Sequence, residues 1–130
     1  MLKFIVALKR KPGMTPEEFR KHYETSHVEK AVELFAHLMV EYRRNYFTSS
    51  VAFSDRDPER AGRPQPEGHD VITEIYLKDQ AALDEFVKAL SAPEIKNWFI
   101  EDEKKFLDRD ASRMGVVEIV ESRVGNQARR

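Results

Sequence analysis

Residues 15–27 read TPEEFRKHYETSH, and the division of the rest of the chain follows from how this stretch is read. Thr15 is placed as an N-cap and Pro16 at the first helical position, where its missing N–H costs nothing. Glu18, three residues after Thr15, completes a capping box, and Met14 and Phe19 flank it as a hydrophobic staple. Phe19, Tyr23 and His27 then recur at the spacing of one helix face. A new apolar pattern begins after His27, with Val28, Ala31, Val32, Leu34, Phe35 and Leu38. The spacing predicts two helical pieces, about 16–25 and 28–39, that meet near His27.

Working outward, LKFIVAL (2–8) is a short apolar run closed by Lys9-Arg10-Lys11-Pro12-Gly13, which favours a strand over a helix. Leu2, Phe4, Val6 and Leu8 line one of its faces; Ile5 and Ala7 line the other. VEYRRNYFTSSV (40–51) reads as a second strand, with Tyr42, Arg44, Tyr46 and Thr48 on one side and Arg43, Asn45 and Phe47 on the other. The segment 52–69 is rich in proline, glycine and alternating charge. A loop of this length is expected to be either a lid or a disordered segment. DVITEIYL (70–77) is a third strand, and Asp79 caps a helix with Leu83, Phe86, Val87 and Leu90 on its core stripe. Ser91-Ala92-Pro93 interrupts that helix, and a further one over about 93–107 carries Ile95, Trp98, Phe99 and Phe106. Gly115 is read as the end of the connection before a fourth strand at 116–120, and 123–130 as a loose tail.

The order is β-α-β twice over within a single domain spanning 1–122. It fits an α+β, ferredoxin-like split βαβ arrangement: a four-stranded antiparallel sheet with helices on one face. Strands 1 and 4 read as apolar on both sides, although helices can cover only one. Leaving several aliphatic side chains on open water forfeits about 1.5–3 kcal/mol each, so a homodimer packing sheet to sheet is expected.

Composition narrows the function. With 22 basic and 23 acidic residues the net charge is -1, which argues against a nucleic-acid or anionic-membrane partner. No apolar run approaches the roughly 18 residues of a membrane span. Met1-Leu2-Lys3-Phe4 leads straight into strand-like sequence, so no signal peptide is expected and a cytoplasmic location is. The absence of cysteine excludes disulfides, thiolate catalysis and iron–sulfur clusters. No histidine lies in a cluster with metal-ligand spacing, so neither metal nor cofactor is expected; His27 or His69 is the residue a haem would need.

The stretches KRKPGMTPEEFRKHYETSHV, RRNYF, DVITEIY and NWFIEDEKKFLD together resemble the EthD-like proteins of the dimeric α+β barrel superfamily, over roughly residues 2–122. The most specific part is the Gly-Met-Thr-Pro-Glu-Glu-Phe run leading to His27. The resemblance implies the same fold, a dimer, and a pocket between each subunit's sheet and helices. Related barrels include polyketide cyclases and dehydratases, cofactor-free monooxygenases, muconolactone isomerases and haem-binding enzymes. The EthD branch itself is linked to ether degradation and to dehydration of polyketide-like phenols.

On this basis the expected activity is a cofactor-independent proton transfer, such as dehydration, cyclisation or isomerisation, on an aromatic or polyketide-like molecule. His27 is the expected acid or base, since imidazole exchanges protons near neutral pH. The competing reading is a histidine that caps a helix end or makes one core hydrogen bond. Tyr46, aided by Arg44, is expected to hold a developing oxyanion; Asn45 lies on the opposite face of the strand. Glu74 sits in an apolar strand, where it is either paired with Arg43 or Arg44 or raised in pKa. Phe4, Tyr23, Tyr76, Trp98 and Phe99 are expected around the substrate. Other classes consistent with the sequence are a non-catalytic binder of small hydrophobic metabolites and a cofactor-free monooxygenase acting on a phenol.

Overall fold

In the computed structural model, residues 2–60, 62 and 68–125 are described. The elements run β1 (Leu2–Leu8), α1 (Pro16–His22), a π-helical turn (Tyr23–His27), α2 (Val28–Phe35), a 3-10 turn (Ala36–Leu38), β2 (Met39–Tyr46), β3 (Val71–Leu77), α3 (Gln80–Ser91), α4 (Pro93–Phe106) and β4 (Arg113–Val117). The strands form one antiparallel sheet in the order β2-β3-β1-β4. This is the split-βαβ topology that the alternating order demanded, with helices on one face.

The local signals that start the helices act as read. Thr15 Oγ1 accepts from the Glu18 N–H at 3.1 Å while Glu18 accepts from the Thr15 N–H at 3.0 Å. The Asp79 carboxylate accepts from the Ala82 N–H at 2.8 Å. Pro93 opens α4 after the break at Ala92.

Three boundaries differ from expectation. The two helical pieces are one continuous helix, joined through a π turn in which the Val28 N–H bonds the Tyr23 carbonyl five residues back. β2 ends at Tyr46, opposite the first residue of β3, and after one more bond from the Phe47 N–H to the Asp70 carbonyl the chain leaves the sheet. β4 covers 113–117 rather than 116–120. Val117 already faces Lys3 near the start of β1, so residues 118–120 have no strand to pair with. Gly115 sits inside β4 opposite Ile5, where the sheet accepts a glycine at extended dihedrals. Of the 52–69 segment, two 3-10 turns, Phe53–Arg56 and Pro58–Arg60, are described; residues 61 and 63–67 of the expected lid, and 126–130 of the expected tail, lie outside the described residues.

Strand alternation divides the sheet. Val71, Thr73, Ile75 and Leu77 are buried beneath the helices, while Ile72, Glu74 and Tyr76 lie half-buried on the other face. Two buried clusters make the core. One gathers Phe4, Phe35, Ile75, Phe86 and Phe99; the other gathers Leu8, Phe19, Tyr23, Val71 and Phe106. Val6 and Tyr42 pack against both and join them. Phe19, Tyr23 and Phe106 form a triangle with ring centroids 5.6–6.0 Å apart, close enough for aromatic contacts to add to burial. The Phe19–Tyr23 stripe thus packs as read, and it presents whatever follows it on the same helix to α4.

The far face of the sheet is mixed rather than uniformly apolar. Glu74 there pairs with Lys3 at 2.9 Å, not with Arg43 or Arg44: Arg43 lies opposite it on β2 but turns to Glu41, and Arg44 points to the other face. Lys3 also lies 5.2 Å over the Tyr76 ring. At the β4 edge Val117 is exposed on this face, while Met114 and Val116, opposite Val6 and Phe4, are exposed on the helix side. No helix among the described residues is long and apolar enough to cross a membrane.

Candidate functional site

The π turn decides what His27 meets. An inserted residue in a helix puts side chains five apart roughly where an α-helix puts those four apart. His22 and His27 therefore point the same way, toward α4, and both reach Asp102. His22 Nε2 lies 2.9 Å from Asp102 Oδ1 and His27 Nδ1 lies 3.1 Å from Oδ2. Ser26 donates its hydroxyl to Oδ1 at 2.8 Å. Asp102 is only 3% exposed. Burial pushes its pKa up, but the hydrogen bonds from His27, Ser26 and His22 and the field of His22 outweigh this and bring it down to about 2.

An ionised carboxylate only accepts hydrogen bonds, so both histidine nitrogens facing Asp102 must donate. His27 is then protonated at Nδ1. Its Nε2 has no hydrogen-bond partner among the described residues, and the side chain is 17% exposed. The ring is braced by Phe99 edge-on at 4.9 Å, Phe106 at 5.4 Å and Tyr23 at 5.7 Å. This is the orientation of an imidazole that can accept a proton at one nitrogen while a carboxylate holds the other.

A second polar cluster lies on the β2 side of the same helix. Glu24 receives Arg44 in a two-pronged contact, Nε at 3.0 Å and Nη2 at 2.8 Å, and the Tyr46 hydroxyl at 2.6 Å. The Arg44 hydrogen bond is the main cause that lowers the Glu24 pKa, against an opposing effect of burial. The Tyr46 phenol is pushed up first by burial and then by its bond to Glu24, so it stays protonated. Arg44 and Glu24, with Arg20, Tyr42 and Tyr46, line an open pocket of about 440 Å³. Tyr23 stands between the clusters. Its hydroxyl meets Thr73 Oγ1 at 2.6 Å, and burial raises its pKa well above the ordinary tyrosine value.

Of the residues singled out from sequence, the fold thus brings Tyr46 and Arg44 together, and His27 with Tyr23 and Phe99. The His27 and Tyr46 groups lie on different sides of the helix, and the pocket beside Tyr46 is not lined by His27. Asn45 donates its side-chain amide to the Ile72 carbonyl at 2.9 Å and reaches the rim of that pocket. Phe4 is core, edge-on to Phe86 at 5.3 Å. Trp98 is half-buried with Lys30 over its ring at 5.4 Å. Glu74 and Tyr76 belong to the far face of the sheet.

Sequence reading missed His22, Ser26 and Asp102 as partners of His27, and Glu24 as the hub of the pocket. Nothing in residue spacing links positions 27 and 102. The one available signal was an acidic residue, Asp102, on the face of α4 that also carries Phe99 and Phe106. Among the described residues, no group of three or more histidines and carboxylates is placed to hold a metal ion.

The family model of the EthD domain matches residues 11–110, a span that contains every residue of both clusters. The chain belongs to the EthD family. Among solved structures, this EthD chain is similar to At3g17210 from Arabidopsis thaliana, with a TM-score of 0.57 at 14% identity, covering 95% of this chain and 100% of that one. It is likewise similar to an ethyl tert-butyl ether d (EthD) family protein from Bacillus halodurans c-125, with a TM-score of 0.57 at 18% identity, covering 92% and 100%. At such identities the likeness establishes the fold. No curated protein matches the chain.

Proposed function

We propose that this EthD domain is a cofactor-independent proton-transfer enzyme acting on an aromatic or polyketide-like small molecule, by dehydration, cyclisation or isomerisation. The observation that carries the reading is the buried Asp102 anion holding His27 through Nδ1 while Nε2 is left without a hydrogen-bond partner among the described residues. His27 is the group that takes and returns the proton, a role worth about 10²–10⁴ in rate for a positioned acid–base group. Asp102 is a positioning residue, which fixes the tautomer and stabilises the imidazolium that forms. His22 and Ser26 help keep Asp102 ionised.

Tyr46 and Arg44, both engaged by Glu24, act in this reading by shaping the neighbouring pocket. A homodimer completes the proposal. The support is Val117, exposed on the helix-free face at the β4 edge, with Ile5 and Ile72 half-buried on the same face.

The experiment is turnover of a panel of polycyclic phenols and β-hydroxy aryl ketones, followed by absorbance and mass spectrometry. The expected result is proton-transfer chemistry without added metal or cofactor, with His27→Ala slowing it at least 100-fold. A folded His27→Ala variant that works at the normal rate contradicts the mechanism, and oxygen consumption in step with turnover contradicts the reaction class. Light scattering on a size-exclusion column tests the dimer, for which a monomer at micromolar concentration is the contrary result.

A further inference from the structure

The pocket on the β2 side of the helix carries charge that its internal contacts leave unmatched. Its walls hold two guanidinium groups, Arg20 and Arg44, against one carboxylate, Glu24, and Arg43 borders it from the other side of β2. Arg44 is engaged by Glu24 through two bonds and by the Tyr42 carbonyl through a third. Arg43 pairs with Glu41 at 3.0 Å. Arg20 makes no ion pair of its own among the described residues. Instead its Cζ lies over the Tyr46 ring, 4.2 Å from the centroid, and that of Arg44 lies over the Tyr42 ring, 4.9 Å from its centroid.

We propose that this pocket is a binding site for an aromatic carboxylate, separate from the imidazole pair, with Arg20 as the residue that receives the carboxylate. Contact with the Tyr46 ring restrains the Arg20 guanidinium, so less rotamer freedom is lost when its N–H fork meets two coplanar oxygens. The two arginine–tyrosine contacts in the same pocket supply weakly hydrated surface that suits a planar ring. A volume of about 440 Å³ is within the roughly 300–1,000 Å³ range of small-molecule sites. Glu24 sets the charge of the ligand. Its carboxylate stays in the pocket wall, and a second negative charge on the ligand meets repulsion, which favours a monoanionic carboxylate over a dianionic phosphate.

The site is tested by calorimetric titration of the whole protein with 2-naphthoate, 2-naphthamide and 2-naphthyl phosphate. The expected order places naphthoate at least tenfold tighter than the uncharged amide and tighter than the phosphate. Arg20→Gln, at an exposed position where the fold is not at stake, removes at least tenfold of naphthoate affinity and leaves the far-UV spectrum unchanged. Naphthamide binding as tightly as naphthoate, phosphate binding tighter, unchanged affinity in Arg20→Gln, or no binding of naphthoate at millimolar concentration each overturns the proposal. Because the readout is binding rather than turnover, failure of the proton-transfer reading leaves this result standing, and the converse holds as well.

Discussion

On one side of Tyr23, Asp102 is buried and receives two imidazoles and a serine hydroxyl; on the other, Glu24 is half-exposed and receives an arginine and a phenol. Both carboxylates are held ionised, yet by different means and to different effect. Around Glu24 the donors stay charged or protonated throughout the ordinary pH range, so the cluster is a fixed charge pattern suited to binding. Around Asp102 two of the three donors are imidazoles, and each keeps its other nitrogen without a hydrogen-bond partner among the described residues. The same helix therefore offers an arginine–carboxylate–phenol cluster to β2 and an imidazole–carboxylate cluster to α4. Burial decides which carboxylate matters more to stability, and donor chemistry is what assigns Asp102 rather than Glu24 to the proposed mechanism.

The comparison is broken most severely by removing the buried member. Asp102→Ala leaves Ser26 and two imidazoles without their acceptor, and a loss of about 3 kcal/mol is expected in urea unfolding, the scale for stripping one partner from a buried polar cluster. Glu24→Ala, by contrast, is expected to cost less than about 1 kcal/mol, since its pair with Arg44 is partly exposed and screened. Similar losses from the two variants would erase the distinction drawn here.

A pH titration of stability reaches the same carboxylate without mutation. Asp102 in the folded protein titrates at about 2, below its ordinary 3.8. Its contribution is therefore present above about pH 4 and disappears as pH falls through the folded value, a change of about 2 kcal/mol from the linkage relation. Asp102→Asn is expected to flatten that limb of the stability profile. A wild-type curve already flat between pH 4 and pH 2 contradicts the assignment.

A smaller effect tests the divider itself. Tyr23→Phe keeps the ring stack and removes a hydroxyl that meets the buried Thr73 at 2.6 Å. The expected cost is about 1–2 kcal/mol by thermal or urea unfolding, because Thr73 loses its partner in a site that water does not reach. The tilted contact between the Tyr23 ring and His27 stays, so the pH dependence of turnover is expected to change little. A displaced pH profile would mean that the two clusters communicate through the tyrosine hydroxyl.

Much of this architecture is written in local pattern. The capping box at Thr15 and Glu18, the alternation of 71–77 and the proline-marked break at Pro93 each act within a few residues, and each was legible. The Phe19–Tyr23–His27 stripe was legible as a stripe. The π turn was not, because a one-residue insertion in a helix leaves no mark in hydrophobic spacing, and without it His22 reads as an isolated surface histidine. Asp102 reads as one more charge on an amphipathic helix, since its partners lie 75–80 residues away. Glu24 was overlooked for a related reason: a glutamate in a charged helix looks solvated until β2 brings Arg44 and Tyr46 to it. The β4 shift came from treating Gly115 as a stop, where the limit was in fact set by the length of β1.

The central claim is that ionised Asp102 fixes His27 with its proton on Nδ1 and its Nε2 bare. Long-range proton–nitrogen NMR of ¹⁵N-histidine protein, at a pH where the imidazoles are neutral, reads the tautomers directly. The account predicts opposite tautomers for the pair, Nε2–H for His22 and Nδ1–H for His27, with His27 losing its preference in Asp102→Asn. A His27 that carries its proton on Nε2 in the wild-type protein would contradict it.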